Sequence, residues 1–128
     1  MVSVRELRLV VTVEDYEDAA IFYRDVLGMP EREVVSSPGG RVMILDAGRA
    51  TLELADVPHA TYIDQVEVGT RVAGHIRVAL QVDQVDASTN AAQAAGAVLI
   101  AEPTPTPWGS RNARLSVPGG LQLTLFGD

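Results

Sequence analysis

Several polar side chains interrupt apolar strand segments of this 128-residue chain, among them Arg8, Glu53, Arg77 and Thr124. Each has an apolar residue on either side. Because successive side chains of a strand point to opposite faces, the polar four occupy the face that their apolar neighbours avoid. Two guanidiniums beside one carboxylate can form a hydrogen-bonded bridge, with Glu53 at its centre. The excess of two arginines over one glutamate favours an anionic or carbonyl-bearing ligand.

The role of this charged group has two interpretations that the residues leave open. The group either holds the structure together or binds a ligand, since buried charge must be paired in both cases. If any residue is catalytic, it is Glu53, acting as a general base between Arg8 and Arg77. We expect the two guanidiniums to lower the pKa of Glu53.

The chain repeats one order of elements. An apolar strand, an acidic turn, a helix that stops at glycine and three further strands occur twice, with Val13 and Val82 in equivalent places and Leu54 and Leu125 closing the two copies. A repeat of about 70 residues is too long for a solenoid unit and predicts two βαβββ modules. Two facing modules enclose a cleft, so we expect the fold to be α+β, with a curved mixed sheet around a cavity.

The predicted boundaries follow this repeat within a single domain, 1–128. Module one covers about 1–56, an irregular connection about 57–74, and module two about 75–128. The first helix begins at Asp15 and stops at Gly28. The proline-rich segment 102–109 is predicted to be a loop, because proline cannot donate regular ladder bonds.

Composition excludes several classes of protein. A net charge of −7 opposes binding to nucleic acid. The absence of cysteine removes disulfides and thiolate metal sites. No apolar run approaches the length of a membrane span, and charges interrupt the amino-terminal segment early, so we expect a cytoplasmic protein that does not bind membranes. The absence of lysine is typical of a GC-rich genome, and we expect a bacterial source.

Several motifs resemble those of one family. The first module contains Val13-x-Asp15-x6-Phe22-Tyr23-x3-Leu27-Gly28, and the second contains Val82-Asp83-x2-Asp86-Ala87, Trp108-Gly109 and Pro118-x-Gly120-x4-Leu125. In order and spacing they resemble the vicinal oxygen chelate superfamily, which includes glyoxalase I, extradiol dioxygenases, fosfomycin resistance enzymes and bleomycin resistance proteins. The resemblance covers nearly the whole chain and implies paired βαβββ modules forming a half-open barrel.

The resemblance also indicates where metal ligands would lie. Metal-dependent members take one ligand each from strands one, four, five and eight, usually His, Gln or Glu, and those positions match Arg8, Glu53, Arg77 and Thr124. Arginine has no lone pair for a cation, and one carboxylate holds a divalent ion poorly. We therefore expect no metal and no other cofactor, with a divalent metal as the alternative. His59 and His75 are expected to face solvent or to lie at the cavity rim.

The predicted ligand cavity includes further residues beside the charged ones. Trp108 either stacks on a flat ligand at the cavity mouth or packs under its own loop. The complete predicted set of cavity residues is Arg8, Glu53, Arg77, Gln81, Trp108, Gln122 and Thr124.

Our leading hypothesis is a metal-independent protein that binds a small organic molecule, similar to glyoxalase and bleomycin resistance proteins and with a role in resistance or sequestration. The alternative is a lyase, isomerase or dioxygenase of the same fold, using an atypical metal site or Glu53 as a general base. A purely structural or regulatory dimer is a further alternative.

We predict a homodimer. Members of the resembled family commonly build the cavity from modules of two chains, and a half-open sheet leaves edges that need cover. Light scattering or sedimentation at micromolar protein concentration is expected to give twice the chain mass of 13.6 kDa. A single-chain mass at that concentration would refute this prediction.

Overall fold

A computed structural model describes residues 2–26, 28–117 and 121–128. Two helices and a π-helical turn accompany the strands of the first half and the connection, and a third helix accompanies those of the second half. The elements are β1 Val4–Val13, α1 Tyr16–Ala20 with the π-helical turn Ile21–Val26, β2 Glu31–Ser37, β3 Gly40–Asp46, β4 Thr51–Asp56, α2 Val57–Glu67, β5 Ile76–Val82, α3 Val85–Ala94, β6 Val98–Pro105, β7 Arg111–Ser116 and β8 Gln122–Gly127.

The strands form one eight-stranded mixed sheet in the order β2-β3-β4-β1-β5-β8-β7-β6. Within each half the first and last strands are parallel, β1 with β4 and β5 with β8. The antiparallel pair β1–β5 joins the halves at the centre of the sheet. This arrangement confirms the predicted α+β fold with two βαβββ modules.

Helices cover the outer face of each half through apolar side chains. Tyr16 and Ala20 of α1 pack with Met43, Leu45 and Leu54. In the second half, Val82 and Val85 pack with a corresponding set on β7 and β8: Ala113, Leu115 and Leu125. The Asp15 carboxylate accepts a hydrogen bond from the Asp18 backbone N–H and caps α1, as predicted. The opposite face of the sheet is left for the cavity.

The connection between the modules is irregular only over residues 68–74, so that part of the prediction is wrong for its first eleven residues. Residues 57–67 form α2, whose first residues include Pro58, a proline position that a helix tolerates. The Asp56 carboxylate caps the helix by accepting a hydrogen bond from the His59 N–H. Gly40 passes so close that a β-carbon there would overlap the His59 backbone and the Asp56 carboxylate. The capped helix is thereby seated against β3.

Two other predictions need correction. The π-helical geometry of residues 21–26 replaces the expected regular helix, although Gly28 has the predicted positive φ of 71°. The proline-rich loop is also wrong in part, because β6 extends through Pro105. β6 is an edge strand that pairs only with β7, so only some of its residues must donate a backbone N–H to a neighbouring strand. An edge strand therefore tolerates proline, which has no N–H. The Pro118–Gly120 motif lies outside the described residues.

Of the helices described, none is long and apolar enough to cross a membrane.

Candidate functional site

A cavity of about 500 Å³ lies on the inner face of the sheet, between the two modules and α2. Six of the seven predicted residues line it: Arg8, Glu53, Arg77, Gln81, Trp108 and Thr124. Gln122 instead supports the wall, because its side chain bonds the Arg114 guanidinium and the Val72 carbonyl.

Strand register brings the four polar residues onto neighbouring strands. Val10 pairs with Glu53 on one side and with Arg77 on the other. Ala79 pairs with Arg8 and with Thr124. Because paired residues share a face, the polar four form the floor of the cavity across β4, β1, β5 and β8.

The predicted bridge of Arg8 and Arg77 through Glu53 is wrong. Arg8 bonds Glu6 instead, with its Nε 3.0 Å from Oε2, while its distance to the Glu53 carboxylate is 4.0 Å. Among the described residues none donates a hydrogen bond to the Glu53 side chain. Glu6 also pairs with Arg32. The carboxylate of Glu6, which the sequence analysis did not consider, offsets the positive charge assigned to Arg8.

Glu53 has the electrostatics of a buried acid. Burial raises its pKa above the ordinary value, and the attraction of Arg77 and Arg8 only partly opposes that effect. The sequence-based expectation of a lowered pKa is therefore wrong, because the cost of removing the carboxylate from water exceeds the attraction of guanidiniums that form no hydrogen bond with it. A raised pKa makes Glu53 a stronger base than an exposed glutamate.

Arg77 is held by a hydroxyl rather than by a carboxylate. Its guanidinium donates to the Thr124 Oγ1 at 2.7 Å. The same oxygen accepts a hydrogen bond from Arg114 Nε at 3.2 Å. Burial lowers the pKa of Arg77, but an arginine remains protonated nonetheless. The floor therefore contains a permanently charged guanidinium beside the cavity.

Arg114 is the centre of a buried network that the sequence analysis missed. Its side chain has no exposed surface and donates to Asp64 Oδ1 at 2.8 Å and to Glu67 Oε1 at 2.9 Å. Glu67 also accepts from Asn112. Two signals were present in the sequence: Asn112 and Arg114 alternate with apolar residues on β7, and Asp64 lies three residues before Glu67, on the same side of a helix.

The Asp64 carboxylate also holds the segment after α2. Its Oδ2 accepts hydrogen bonds from the backbone N–H groups of Val72 and Ala73 and from Arg71. Burial alone would raise the pKa of Asp64, but these bonds and the one from Arg114 keep it below the ordinary value. The end of α2 and residues 71–73 are thereby fixed to the second module.

The two histidines differ in position. His59 is not a rim residue as predicted: it is 5% exposed, lines the cavity, and its Nδ1 lies 2.6 Å from the Ser37 hydroxyl. Burial lowers its pKa, so the ring is neutral at neutral pH. His75 is exposed, as predicted. The Asp56 cap places His59 in the first turn of α2, beside β3. Asp56 and Pro58 are a sequence signal for the start of this helix, but no sequence pattern indicated that the histidine is buried.

Aromatic side chains mark the cavity mouth. The Trp108 side chain is 45% exposed, and its ring centroid lies 6.3 Å from that of Tyr62. Tyr62 in turn lies 6.1 Å from the His59 ring. A row of rings therefore leads from the surface inward along α2.

The donor set does not fit a metal ion. The four floor positions present two guanidiniums, one carboxyl group and one hydroxyl, and that hydroxyl already accepts two hydrogen bonds. Guanidiniums repel cations and have no lone pair to offer. The described residues contain no group of three or more His, Cys, Asp or Glu side chains placed to hold a metal.

Comparison with known proteins identifies the family. Residues 7–125 match the model of the Glyoxalase/Bleomycin resistance protein/Dioxygenase superfamily, and the chain belongs to that superfamily. No curated protein matches the sequence significantly.

Solved structures share the fold at low sequence identity. A hypothetical protein from Bacillus halodurans C-125 superposes with a TM-score of 0.72 at 19% identity, covering 99% of this chain and 94% of its own. Methylmalonyl-CoA epimerase from Mycobacterium tuberculosis gives 0.69 at 22% identity, with coverages of 96% and 87%. A variant of the Streptomyces coelicolor methylmalonyl-CoA epimerase in complex with 2-nitronate-propionyl-CoA gives 0.68 at 19%, with coverages of 98% and 97%.

The Arg114 network predicts a large loss of stability on substitution. Arg114→Met leaves Asp64 and Glu67 buried without their shared cation, which is expected to reduce the free energy of unfolding by about 3–5 kcal/mol. Arg111→Met on the same strand removes only an exposed pair with Asp86 and serves as the control, with nearly unchanged stability. Urea denaturation measures both. Equal, small losses would show that the network does not hold α2.

The raised pKa of Glu53 predicts a stability effect with a defined sign. When the pKa of a carboxyl group is higher in the folded protein than in the unfolded chain, its protonated form favours folding. This contribution to the free energy of unfolding is complete at a pH below the unfolded-state pKa, and it is lost as the pH rises through the folded-state pKa. Each pKa unit of displacement corresponds to about 1.4 kcal/mol. Glu53→Gln is therefore expected to melt above the wild type near pH 8, with the difference vanishing near pH 4.

Glu6→Gln is the control with the opposite sign. Burial opposes ionisation of Glu6, but Arg32 and Arg8 lower its pKa overall. The ionised Glu6 carboxylate therefore stabilises the fold at a pH above its unfolded-state pKa, and this contribution is lost as the pH falls through its folded-state pKa. Near pH 8 the Glu6→Gln variant is expected to have a lower melting temperature than the wild type. If Glu53→Gln were destabilised in the same way, the assignment of a raised pKa would be wrong.

Proposed function

We propose that the protein binds a small organic molecule in the inter-module cavity without a metal ion. The observation that supports this most directly is a cavity of about 500 Å³ with a polar floor and an aromatic mouth. This volume lies in the range of about 300–1,000 Å³ that is typical of small-molecule sites.

The cavity walls suit a ligand with an apolar body and one polar end. Val10, Val42, Ile44 and Ala79 contribute apolar surface. Trp108 at the mouth presents a flat face that stacks well on planar groups. The polar floor fixes orientation through a few groups, as is usual in small-molecule sites.

A second candidate is acid–base catalysis by Glu53 in a lyase, isomerase or dioxygenase of this fold. The observation in its favour is the raised pKa of a carboxyl group that faces the cavity. Such a group can accept a proton from a carbon next to a carbonyl, which is the first step of an epimerisation. Several structural neighbours are methylmalonyl-CoA epimerases. The donor set favours Glu53 over the alternative of an atypical metal site.

The remaining expectations accompany this proposal. We propose that the protein is a cytoplasmic, bacterial homodimer and that binding serves resistance or sequestration. The negative net charge supports the absence of nucleic-acid binding.

Ligand binding is testable through the single tryptophan. Fluorescence of Trp108 is expected to change saturably with a ligand from a panel of small aromatic and acyl compounds, including acyl-CoA esters. Ala60→Leu on α2 adds volume inside the cavity and is expected to weaken binding at least tenfold, about the effect of misfit by one or two carbon atoms. Ala94→Leu at the exposed end of α3 is the matched control. A panel without a single saturable response would argue against the proposal.

Metal independence predicts that divalent cations leave the melting temperature unchanged. A ligand that binds only the native state stabilises it by RT ln(1 + [L]/Kd), so a real site appears in a titration with Zn²⁺, Ni²⁺, Mn²⁺ or Fe²⁺. A saturable increase with any of these ions that disappears in Glu53→Gln would contradict the metal-free proposal.

A further inference from the structure

The Thr124 hydroxyl has a fixed orientation. A hydroxyl has one proton to donate and two lone pairs that accept. Both lone pairs are used, one by the Arg77 guanidinium at 2.7 Å and one by Arg114 Nε at 3.2 Å. In the part of the chain that the structure describes, nothing accepts the remaining proton. Thr124 lines the cavity, so a group inside the cavity can accept this proton.

Arg77 presents unused hydrogen-bond donors in the same part of the cavity floor. A guanidinium has five N–H donors, and only one of them is used in a hydrogen bond to a described residue, Thr124. The side chain lines the cavity. The other N–H groups of Arg77 and the O–H of Thr124 therefore adjoin, and a bidentate oxygen acceptor suits such a pair.

We infer that Arg77 and Thr124 form a carboxylate-binding subsite in the floor of the cavity. This inference rests on the proposed ligand-binding function and specifies the class of ligand. One carboxylate oxygen accepts from the Arg77 guanidinium, and the other accepts from the Thr124 hydroxyl. The rest of the ligand extends toward Trp108 and Tyr62.

Arg114 makes the subsite selective. It has no exposed surface and is fixed by Asp64 and Glu67, so it does not reach the ligand and acts as a positioning residue. Because it occupies one lone pair of Thr124, the hydroxyl cannot turn to accept a hydrogen bond from a ligand. The subsite thus offers only hydrogen-bond donors to a ligand. The N–H groups of a ligand amide or ammonium would face these donors without an acceptor, which disfavours their binding relative to a carboxylate.

Glu53 does not prevent an anion from binding. The charged groups that face it are Arg77, Arg8, Glu67 and Glu6. Burial already raises the pKa of Glu53, which lowers the cost of protonating its carboxyl group when an anion binds beside it.

The test compares carboxylates with matched amides and amines. The probes are benzoate, benzamide and benzylamine, together with 2-naphthoate and 2-naphthamide, measured by isothermal titration calorimetry. Each carboxylate is expected to bind at least about tenfold more tightly than its amide, and benzylamine is expected not to bind. Amides binding as tightly as carboxylates would overturn the subsite while leaving the proposed binding function intact.

Variants assign the effect to the two residues. Thr124→Val removes the hydroxyl with little change of shape, and Thr124→Ser retains it as the control. Thr124→Val and Arg77→Gln are each expected to weaken carboxylate binding about tenfold and to leave amide binding nearly unchanged, whereas Thr124→Ser retains the preference. A general folding defect would lower both affinities together, and that result would overturn the assignment. If none of the ligands, including the wider panel, bound the wild type, the proposed function itself would fail.

Discussion

The fully buried guanidinium of Arg114 is the interaction on which the rest of the structure depends. Arg114 lies on β7 of the second module. Its guanidinium pairs with the carboxylates of Asp64 and Glu67 on α2, the helix that connects the modules. Removing three charged groups from water is costly, and only their close mutual pairing offsets that cost. The result is that α2 closes one side of the cavity while the curved sheet provides the other.

The same guanidinium connects the structural network to the candidate site. Arg114 Nε and Arg77 both donate hydrogen bonds to the Thr124 hydroxyl. Arg114, which holds α2 in place, therefore also holds Thr124 in the cavity floor. The superfamily positions implied by the resemblance thus contain a hydrogen-bonded and ionic floor in place of metal-binding side chains. Glu53 is the only one of the four with a carboxyl group, and its burial favours the neutral form.

Local sequence patterns predicted the fold and most of the cavity floor. Alternation along β1, β4, β5 and β8 correctly assigned Arg8, Glu53, Arg77 and Thr124 to the inner face, because side-chain direction in a strand depends only on position. The interactions among these residues were not predictable in this way. Whether Arg8 meets Glu53 or Glu6 depends on side-chain conformation, and the sign of the Glu53 pKa shift depends on burial by distant segments.

The residues that were missed have partners far along the chain. Arg114 pairs with residues 47 and 50 positions earlier, across the module boundary. The helix α2 has little amphipathic pattern, and its start depends on a cap at Asp56 and on space beside Gly40. Periodicity therefore does not reveal this helix, although Asp56 followed by Pro58 is a local signal for a helix start. The space beside Gly40 arises from tertiary packing.

The central claim is that the cavity floor binds a ligand without a metal ion. Elemental analysis of protein purified without added metal or chelator tests it most directly. The account predicts that zinc, nickel, manganese, iron and cobalt are each present far below one equivalent per chain. A single transition metal bound at one equivalent per chain would contradict it.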